Sequence, residues 1–135
     1  MRVVRPFTQR GKNMDNEKSL SGKSVLIVED NFLLAEDLRS TVERTGARIV
    51  GPIGDASQAL TAAQEKKIDV ALLDVGLRDQ SCIAVARVLA YRLIPFIIIT
   101  GYVRDALPPE LENALYLAKP VMTDAVLNVI SALLT

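Results

Sequence analysis

The chain contains no histidine and only one cysteine, Cys82. The absence of histidine excludes Ser-His-Asp and Cys-His catalytic sites, and it also excludes histidine-ligated metal sites. A single cysteine cannot form an intramolecular disulfide, and Cys82 is expected to be a small core residue rather than a reactive thiol. Carboxylate, hydroxyl and ammonium groups are therefore the candidates for any chemistry.

Long apolar runs are also absent. No stretch is long enough to cross a bilayer, and the basic start of the chain lacks the apolar middle of a signal peptide. We therefore expect a cytoplasmic protein with no membrane insertion.

Charge is distributed unevenly, although the formal net charge is zero. All 16 acidic residues follow Met14, whereas four of the 16 basic residues precede it. The acidic body argues against nucleic acid as a direct ligand. Residues 1–22 show no apolar periodicity, and we predict a flexible leader there, within which Met14 is an alternative start. The remaining residues, 23–135, are enough for one domain with one core.

Strand-like and helix-like segments alternate through the rest of the chain. Five apolar runs predict strands: KSVLIVED, ARIVGPI, IDVALLDV, IPFIIIT and LYLA. Five segments with helical spacing or capping residues predict helices: NFLLAEDLRSTVERTG, DASQALTAAQEKK, SCIAVARVLAYRL, DALPPELENA and TDAVLNVISALL. This alternation predicts an α/β fold with right-handed crossovers and a doubly wound parallel sheet.

Polar residues stand at the carboxyl ends of four predicted strands, where ligands bind in such sheets. They are Glu29 and Asp30, Asp74, Thr100 and Lys119. Three carboxylates in one crevice repel each other unless a cation joins them, and oxygen-only ligands favour Mg²⁺. An ammonium and a hydroxyl beside them suit phosphoryl transfer, with Asp74 as the best candidate for an aspartyl phosphate.

Each of these residues alone has an ordinary structural explanation. Glu29 and Asp30 could begin a loop or cap the first helix, and Asp74 could form a turn. Thr100 could simply end a strand, and Lys119 could be a surface lysine. Their joint occurrence, each at the end of a strand, favours a common site.

Four of these segments resemble the receiver domain of two-component response regulators, the CheY-like family. They are VLIVEDN, ALLDVGL, FIIITGY and LAKP, and the resemblance extends from Lys23 to the end of the chain. It implies a flavodoxin-like five-stranded sheet of order 2-1-3-4-5. It also implies a phosphoacceptor, Asp74, that is served by a histidine kinase or a histidine phosphotransfer protein.

The same resemblance implies roles for the other site residues. Asp30 would be a direct Mg²⁺ ligand with help from Glu29, and the Gly76 carbonyl would be a backbone ligand. Thr100 and Lys119 would contact the phosphoryl oxygens. A cis Lys119–Pro120 bond would aim the lysine inward, and Tyr116 occupies the position of the family's switch aromatic.

The strings TGY, LPPEL and KP further resemble the alphaproteobacterial single-domain group called FAT GUY regulators. The fit is partial, because Ile98 and Ile99 replace the Phe-Ala of that motif. Gly76 and Gly101 also depart from the residues that many receivers carry. Tyr102 lies next to the expected site, so it could share the switching role with Tyr116, and either ring could instead be half-buried with its hydroxyl in water.

The sequence ends with the fifth predicted helix, so we expect a signalling switch, a monomer or weak dimer, rather than an enzyme. Its output would pass to a downstream protein partner through the face formed by the fourth predicted helix, the fifth strand and the fifth helix. A phosphate shuttle or sink in a phosphorelay is the alternative. A haloacid dehalogenase-like phosphatase is disfavoured because the second Asp of its motif is missing after Asp74. A flavodoxin-like carrier is disfavoured because the acidic residues after the first strand would repel phosphate.

Overall fold

A computed structural model describes residues 19–74, 81–101, 111 and 114–134. Five strands and four helices occur within these ranges. In chain order they are β1 (Ser24–Val28), α1 (Phe32–Glu43), β2 (Arg48–Ile53), α2 (Ala56–Glu65), β3 (Val70–Asp74), α3 (Ser81–Tyr91), β4 (Phe96–Thr100), β5 (Leu115–Ala118) and α4 (Thr123–Leu134). Each element lies in a segment that the sequence predicted for it, and the fourth predicted helix, DALPPELENA, falls almost wholly outside the described residues.

The five strands form one sheet in the order β2-β1-β3-β4-β5, and every neighbouring pair is parallel. This confirms the doubly wound fold. Helices α2 and α3 pack on one face of the sheet, and α1 and α4 pack on the other. All five residues of β1 are buried, as expected of a strand covered on both faces. Each described helix falls short of the length and apolarity that crossing a bilayer needs.

Strand β2 lies at the edge of the sheet and contains an irregularity at Gly51. The pairing of β1 with β2 shifts there, and the Gly51–Pro52 peptide bond is cis. Gly51 has a φ of +105°, and a Cβ atom at this position would lie 2.8 Å from the carbonyl oxygen of Ile27. Only glycine fits this backbone. The strand then continues to Ile53, whose carbonyl accepts a hydrogen bond of 3.0 Å from the N–H of Glu29.

Residues 19–22 lie before the predicted domain boundary at Lys23, and the structure describes them. Leu20 is buried in the core beneath α1 and α4, and its N–H donates to the carbonyl oxygen of Thr45 at 3.0 Å. The described part of the expected leader, residues 19–22, is therefore attached to the domain. A lone apolar residue has no periodic neighbours, so the sequence pattern gave no sign of it.

Candidate functional site

The carboxyl ends of the strands bring three acidic side chains together. Glu29 and Asp30 directly follow β1, and Asp74 is the last residue of β3, the neighbouring strand. One carboxylate oxygen from each of the three residues lies within 4.8 Å of the other two. The sequence predicted this cluster because the three residues stand at the carboxyl ends of predicted parallel strands, and these three residues do meet.

Lys119 enters the same cluster from the end of β5. Its Nζ lies 3.1 Å from Oδ1 of Asp74 and 3.8 Å from Oε1 of Glu29. Its backbone N–H donates to the carbonyl oxygen of Thr100 at 2.8 Å, and the peptide bond from Lys119 to Pro120 is cis. Lys119 is therefore a member of the cluster and not an ordinary surface lysine.

Glu29 is the most buried member of the cluster, with a side chain only 1% exposed. Its Oε2 accepts a hydrogen bond of 3.1 Å from the N–H of Asn31, whereas its Oε1 has no hydrogen-bond donor among the described residues. The pKa of Glu29 is raised from 4.5 to about 7, mainly by burial and also by the adjacent Asp74 carboxylate, which favours a proton on Glu29. The Asn31 N–H and Lys119 oppose this shift in pKa without cancelling it.

A small cavity of about 70 Å³ opens between these groups. Its lining consists of the three carboxylate residues together with Val28, Gly54, Ala56 and Cys82. Here a buried carboxylate oxygen accepts no hydrogen bond from the described residues and lies beside two other carboxylates. A hard cation would stabilise such a group of oxygens. The oxygen donors present therefore fit Mg²⁺, and the cavity leaves room beside them.

Cys82 was predicted as a small core residue, and it is buried. The sequence did not reveal that it also lies against the site, where its Sγ donates a 3.4 Å hydrogen bond to the backbone carbonyl of Asp74. Gly54 was also missed. A Cβ atom on Gly54 would lie 3.3 Å from the Cα of Asp30, so the glycine permits the close approach of the loop after β2.

Thr100 and Tyr116, the remaining described site residues, lie at different depths. Thr100 is the last residue of β4 and is completely buried, one strand away from Asp74. Tyr116 lies within β5, opposite Ile98, and its half-buried ring packs against the core on the side of α2 and α3. The other two expected site residues, Gly76 and Tyr102, lie outside the described residues.

This chain is similar in sequence to bacterial regulatory proteins. The transcriptional regulatory protein PdtaR of Mycobacterium tuberculosis is 30% identical over 102 residues, which cover 73% of this chain and 50% of PdtaR. The phyllosphere-induced regulator PhyR of Methylorubrum extorquens is 36% identical over 111 residues, which cover 79% of this chain and 42% of PhyR. The chain thus spans half or less of the length of these two relatives.

Solved structures share the fold. The solution structure of the BeF3-activated conformation of SdrG from Pseudomonas melonis Fr1 has a TM-score of 0.69 and 34% identity, and the match covers 85% of this chain and 98% of SdrG. A CheY-like receiver domain protein from Methanospirillum hungatei JF-1 has a TM-score of 0.71 at 23% identity, over 83% of this chain and 93% of that one, which shows the fold alone. The family model for the response regulator receiver domain matches residues 25–131. The chain therefore belongs to the family of response regulator receiver domains of two-component signalling.

Proposed function

We propose that this receiver domain is a phosphorylation-controlled switch in which Asp74 accepts a phosphoryl group from a histidine kinase or a histidine phosphotransfer protein. The observation that carries this proposal is the cluster itself: three carboxylates with oxygens within 4.8 Å of one another, and an ammonium 3.1 Å from Asp74. Ordinary surface charges do not converge in this way, because like charges repel unless a ligand compensates them.

The residues proposed to hold Mg²⁺ are Glu29, Asp30 and Asp74, with the Gly76 carbonyl as a fourth ligand by family resemblance. Bound Mg²⁺ would neutralise the carboxylates and the phosphoryl oxygens, which otherwise repel each other. Oε1 of Glu29 accepts no hydrogen bond within the part of the chain that the structure describes, and this supports the assignment because a buried carboxylate oxygen without a donor is otherwise unfavourable.

In the proposed step, a carboxylate oxygen of Asp74 forms a bond to phosphorus while the P–N bond of the donor phosphohistidine breaks. The electron pair of the P–N bond stays with the donor imidazole, and an acyl phosphate remains on Asp74. Lys119 then pairs with a phosphoryl oxygen in place of its present contact with Asp74, and the Thr100 hydroxyl donates to another oxygen. The protein contributes position and charge, as phosphoryl transfer requires.

The proposed output follows from movement of Thr100 toward the phosphoryl group. An aromatic ring, Tyr116 or Tyr102, would fill the vacated space and change the face formed by the fourth predicted helix, β5 and α4, where a downstream protein partner would bind. SdrG, a relative of similar length, has been solved in a BeF3-activated conformation. Beryllofluoride is therefore a suitable phosphate mimic with which to look for NMR shifts at Tyr116.

The experiment that tests phosphorylation is incubation with labelled acetyl phosphate and Mg²⁺. The wild-type protein is expected to acquire label. Chelation of the Mg²⁺ before the reaction is expected to prevent this labelling. Asp74→Asn, which keeps the shape of the side chain but removes the nucleophilic charge, is expected to acquire none. Asp69→Asn is the matched control, because Asp69 lies at the opposite edge of the sheet. Equal labelling of Asp74→Asn and the wild type would refute the proposal.

A further inference from the structure

Strand β2 contains one residue more than the stretch of β1 that it pairs with. The pairs on either side of the irregularity are Leu26 with Val50 and Val28 with Ile53. Between them, Ile27 of β1 lies opposite two residues of β2, Gly51 and Pro52. A bulge of this kind redirects the chain that follows it, and bulges are frequent beside functional sites. The extra residue therefore sets which part of β2 meets the end of β1.

The bulge brings a glycine to the acidic pair that follows β1. The carbonyl oxygen of Ile53 accepts the hydrogen bond from the N–H of Glu29, and the next residue, Gly54, lies against Asp30. A Cβ atom on Gly54 would lie 3.3 Å from the Cα and 3.5 Å from the Cβ of Asp30. Without the extra residue the register would slip by one, and Ile53 with its side chain would take this place.

The short connection that carries Gly54 is held at both ends. Strand β2 ends at Ile53, and α2 begins directly after its N-cap residue, Asp55. Asp30, by contrast, lies outside the strands and helices, and its side chain is exposed. An atom added to Gly54 would therefore displace Asp30 more readily than it would displace the connection.

A displacement of Asp30 matters because Mg²⁺ is exacting about its ligands. Mg²⁺ requires a near-ideal octahedron of oxygens at about 2.0–2.1 Å, whereas Ca²⁺ accepts flexible arrangements at about 2.3–2.6 Å. The 3.3 Å contact would force Asp30 to move by a few tenths of an ångström. A movement of this size exceeds the tolerance of about 0.2 Å in metal–ligand distances.

We propose that Gly54 is a positioning residue for the metal site, because the space it leaves beside Asp30 lets this carboxylate adopt the geometry that Mg²⁺ requires and Ca²⁺ does not. The inference rests on the proposed function, in which Asp30 is one of the Mg²⁺ ligands. Gly54 and Asp30 line the same small cavity beside the other two carboxylates. Gly51 contributes indirectly, since only glycine fits the bulge that sets the register.

The test is an NMR titration of the backbone amides of the whole 135-residue chain with Mg²⁺ and, separately, with Ca²⁺. In Gly54→Ala the half-saturating concentration of Mg²⁺ is expected to rise about tenfold, as for other residues that orient a metal ligand. The rise for Ca²⁺ is expected to be about threefold or less. Gly101→Ala is the matched control, because a Cβ atom there would meet no atom of the described residues within 4 Å beyond its chain neighbours, and neither affinity should change.

Stability separates positioning from folding. Without metal, Gly54→Ala is expected to melt within about 4 °C of the wild type, because the methyl group displaces an exposed residue and not the core. At equal Mg²⁺ concentration, the rise in melting temperature should be smaller in Gly54→Ala than in the wild type.

Four outcomes would each overturn the proposal: unchanged Mg²⁺ affinity in Gly54→Ala, an equal loss of affinity for both ions, the same loss in Gly101→Ala, or failure of Gly54→Ala to fold without metal. A wild-type protein that binds Mg²⁺ no better than Gly54→Ala does would leave the proposed function standing. A wild-type protein that binds no Mg²⁺ would refute the proposed metal site as well.

Discussion

The two ends of strand β1 each meet a buried or half-buried carboxylate, and the pKa values of the two carboxylates shift in opposite directions. At the start of β1, Asp69 accepts hydrogen bonds from the N–H of Ser24 at 2.8 Å and from Nζ of Lys67 at 3.0 Å. The Ser24 N–H is the main cause that lowers the pKa of Asp69. At the end of β1, Glu29 has one oxygen without a donor, and burial raises its pKa to about 7.

The difference lies in the donors that surround each carboxylate. Asp69 faces the amino edge of a parallel sheet, where a free backbone N–H points at its carboxylate, so its charge stabilises the fold. Glu29 faces the carboxyl edge, where Asp74 is a neighbour and donors are few, so its charge opposes the fold until a ligand arrives. The unfavourable charge thus lies at the carboxyl edge, in the site, and the favourable charge lies at the amino edge. The site is therefore separate from the residues that stabilise the domain.

Raising the pH is expected to destabilise the metal-free protein through Glu29. The folded protein holds this proton up to about pH 7, whereas the unfolded chain releases it near 4.5, so the free energy of unfolding falls as pH rises between these values. The expected loss is on the order of 3 kcal/mol, from about 1.4 kcal/mol for each unit of pKa. Urea unfolding in EDTA across this pH range measures it.

Glu29→Gln is the control for this effect, because it cannot ionise. We expect the pH slope between 4.5 and 7 to flatten in the variant, which should be more stable than the wild type near pH 8 without metal. Added Mg²⁺ should restore wild-type stability at high pH and do far less for the variant. An unchanged slope in Glu29→Gln would show that another group carries the pH dependence.

Asp69→Ala is expected to have the opposite effect to Glu29→Gln, because it should lower stability without affecting the site. Ser24 is buried, and the substitution leaves its N–H without the side-chain acceptor, at a cost of about 2 kcal/mol in the free energy of unfolding. The loss should shrink at low pH, because the stabilisation by Asp69 disappears as pH falls through its lowered pKa. Chemical denaturation at pH 7 and at pH 3 measures both.

Asp69→Asn is the matched variant, since its amide oxygen can still accept from Ser24 while the charge is lost. It should retain part of the stability that Asp69→Ala loses. Labelling by acetyl phosphate should be the same in both variants and the wild type. Slower labelling in either would mean that the two edges of the sheet are coupled.

The sequence predicted the parts of this comparison that depend on which residues stand at the carboxyl ends of the strands. An apolar run followed at once by Glu29 and Asp30 predicts a buried strand with an acidic end, and a parallel sheet then brings such ends together. Lys119 follows a short predicted strand, so it was expected at the same edge of the sheet for the same reason. For this reason the parallel sheet and the carboxylate cluster could both be expected from the residue pattern, whereas the strand order was implied only by the family resemblance.

Contacts between elements that are distant or irregular could not be predicted in this way. Cys82 touches Asp74 because the start of α3 approaches the end of β3, and no residue pattern specifies that approach. The shift in pairing at Gly51 depends on the backbone of the neighbouring strand. Arg92 reaches the end of α2 across 29 residues of sequence. Each is a tertiary contact that periodicity does not encode.

The smallest predicted effect separates local helix stability from the site. Asn31 begins α1, and its Oδ1 accepts from the N–H of Leu34 at 3.0 Å, so Asn31→Ala should cost about 1 kcal/mol. Its own N–H still donates to Glu29 at 3.1 Å, because that contact uses only the backbone. The variant should therefore be less stable but keep the pH slope of the wild type, whereas Asn31→Ser, which preserves a capping oxygen, should lose little. A flattened slope in Asn31→Ala would mean that the helix cap also holds Glu29 in place.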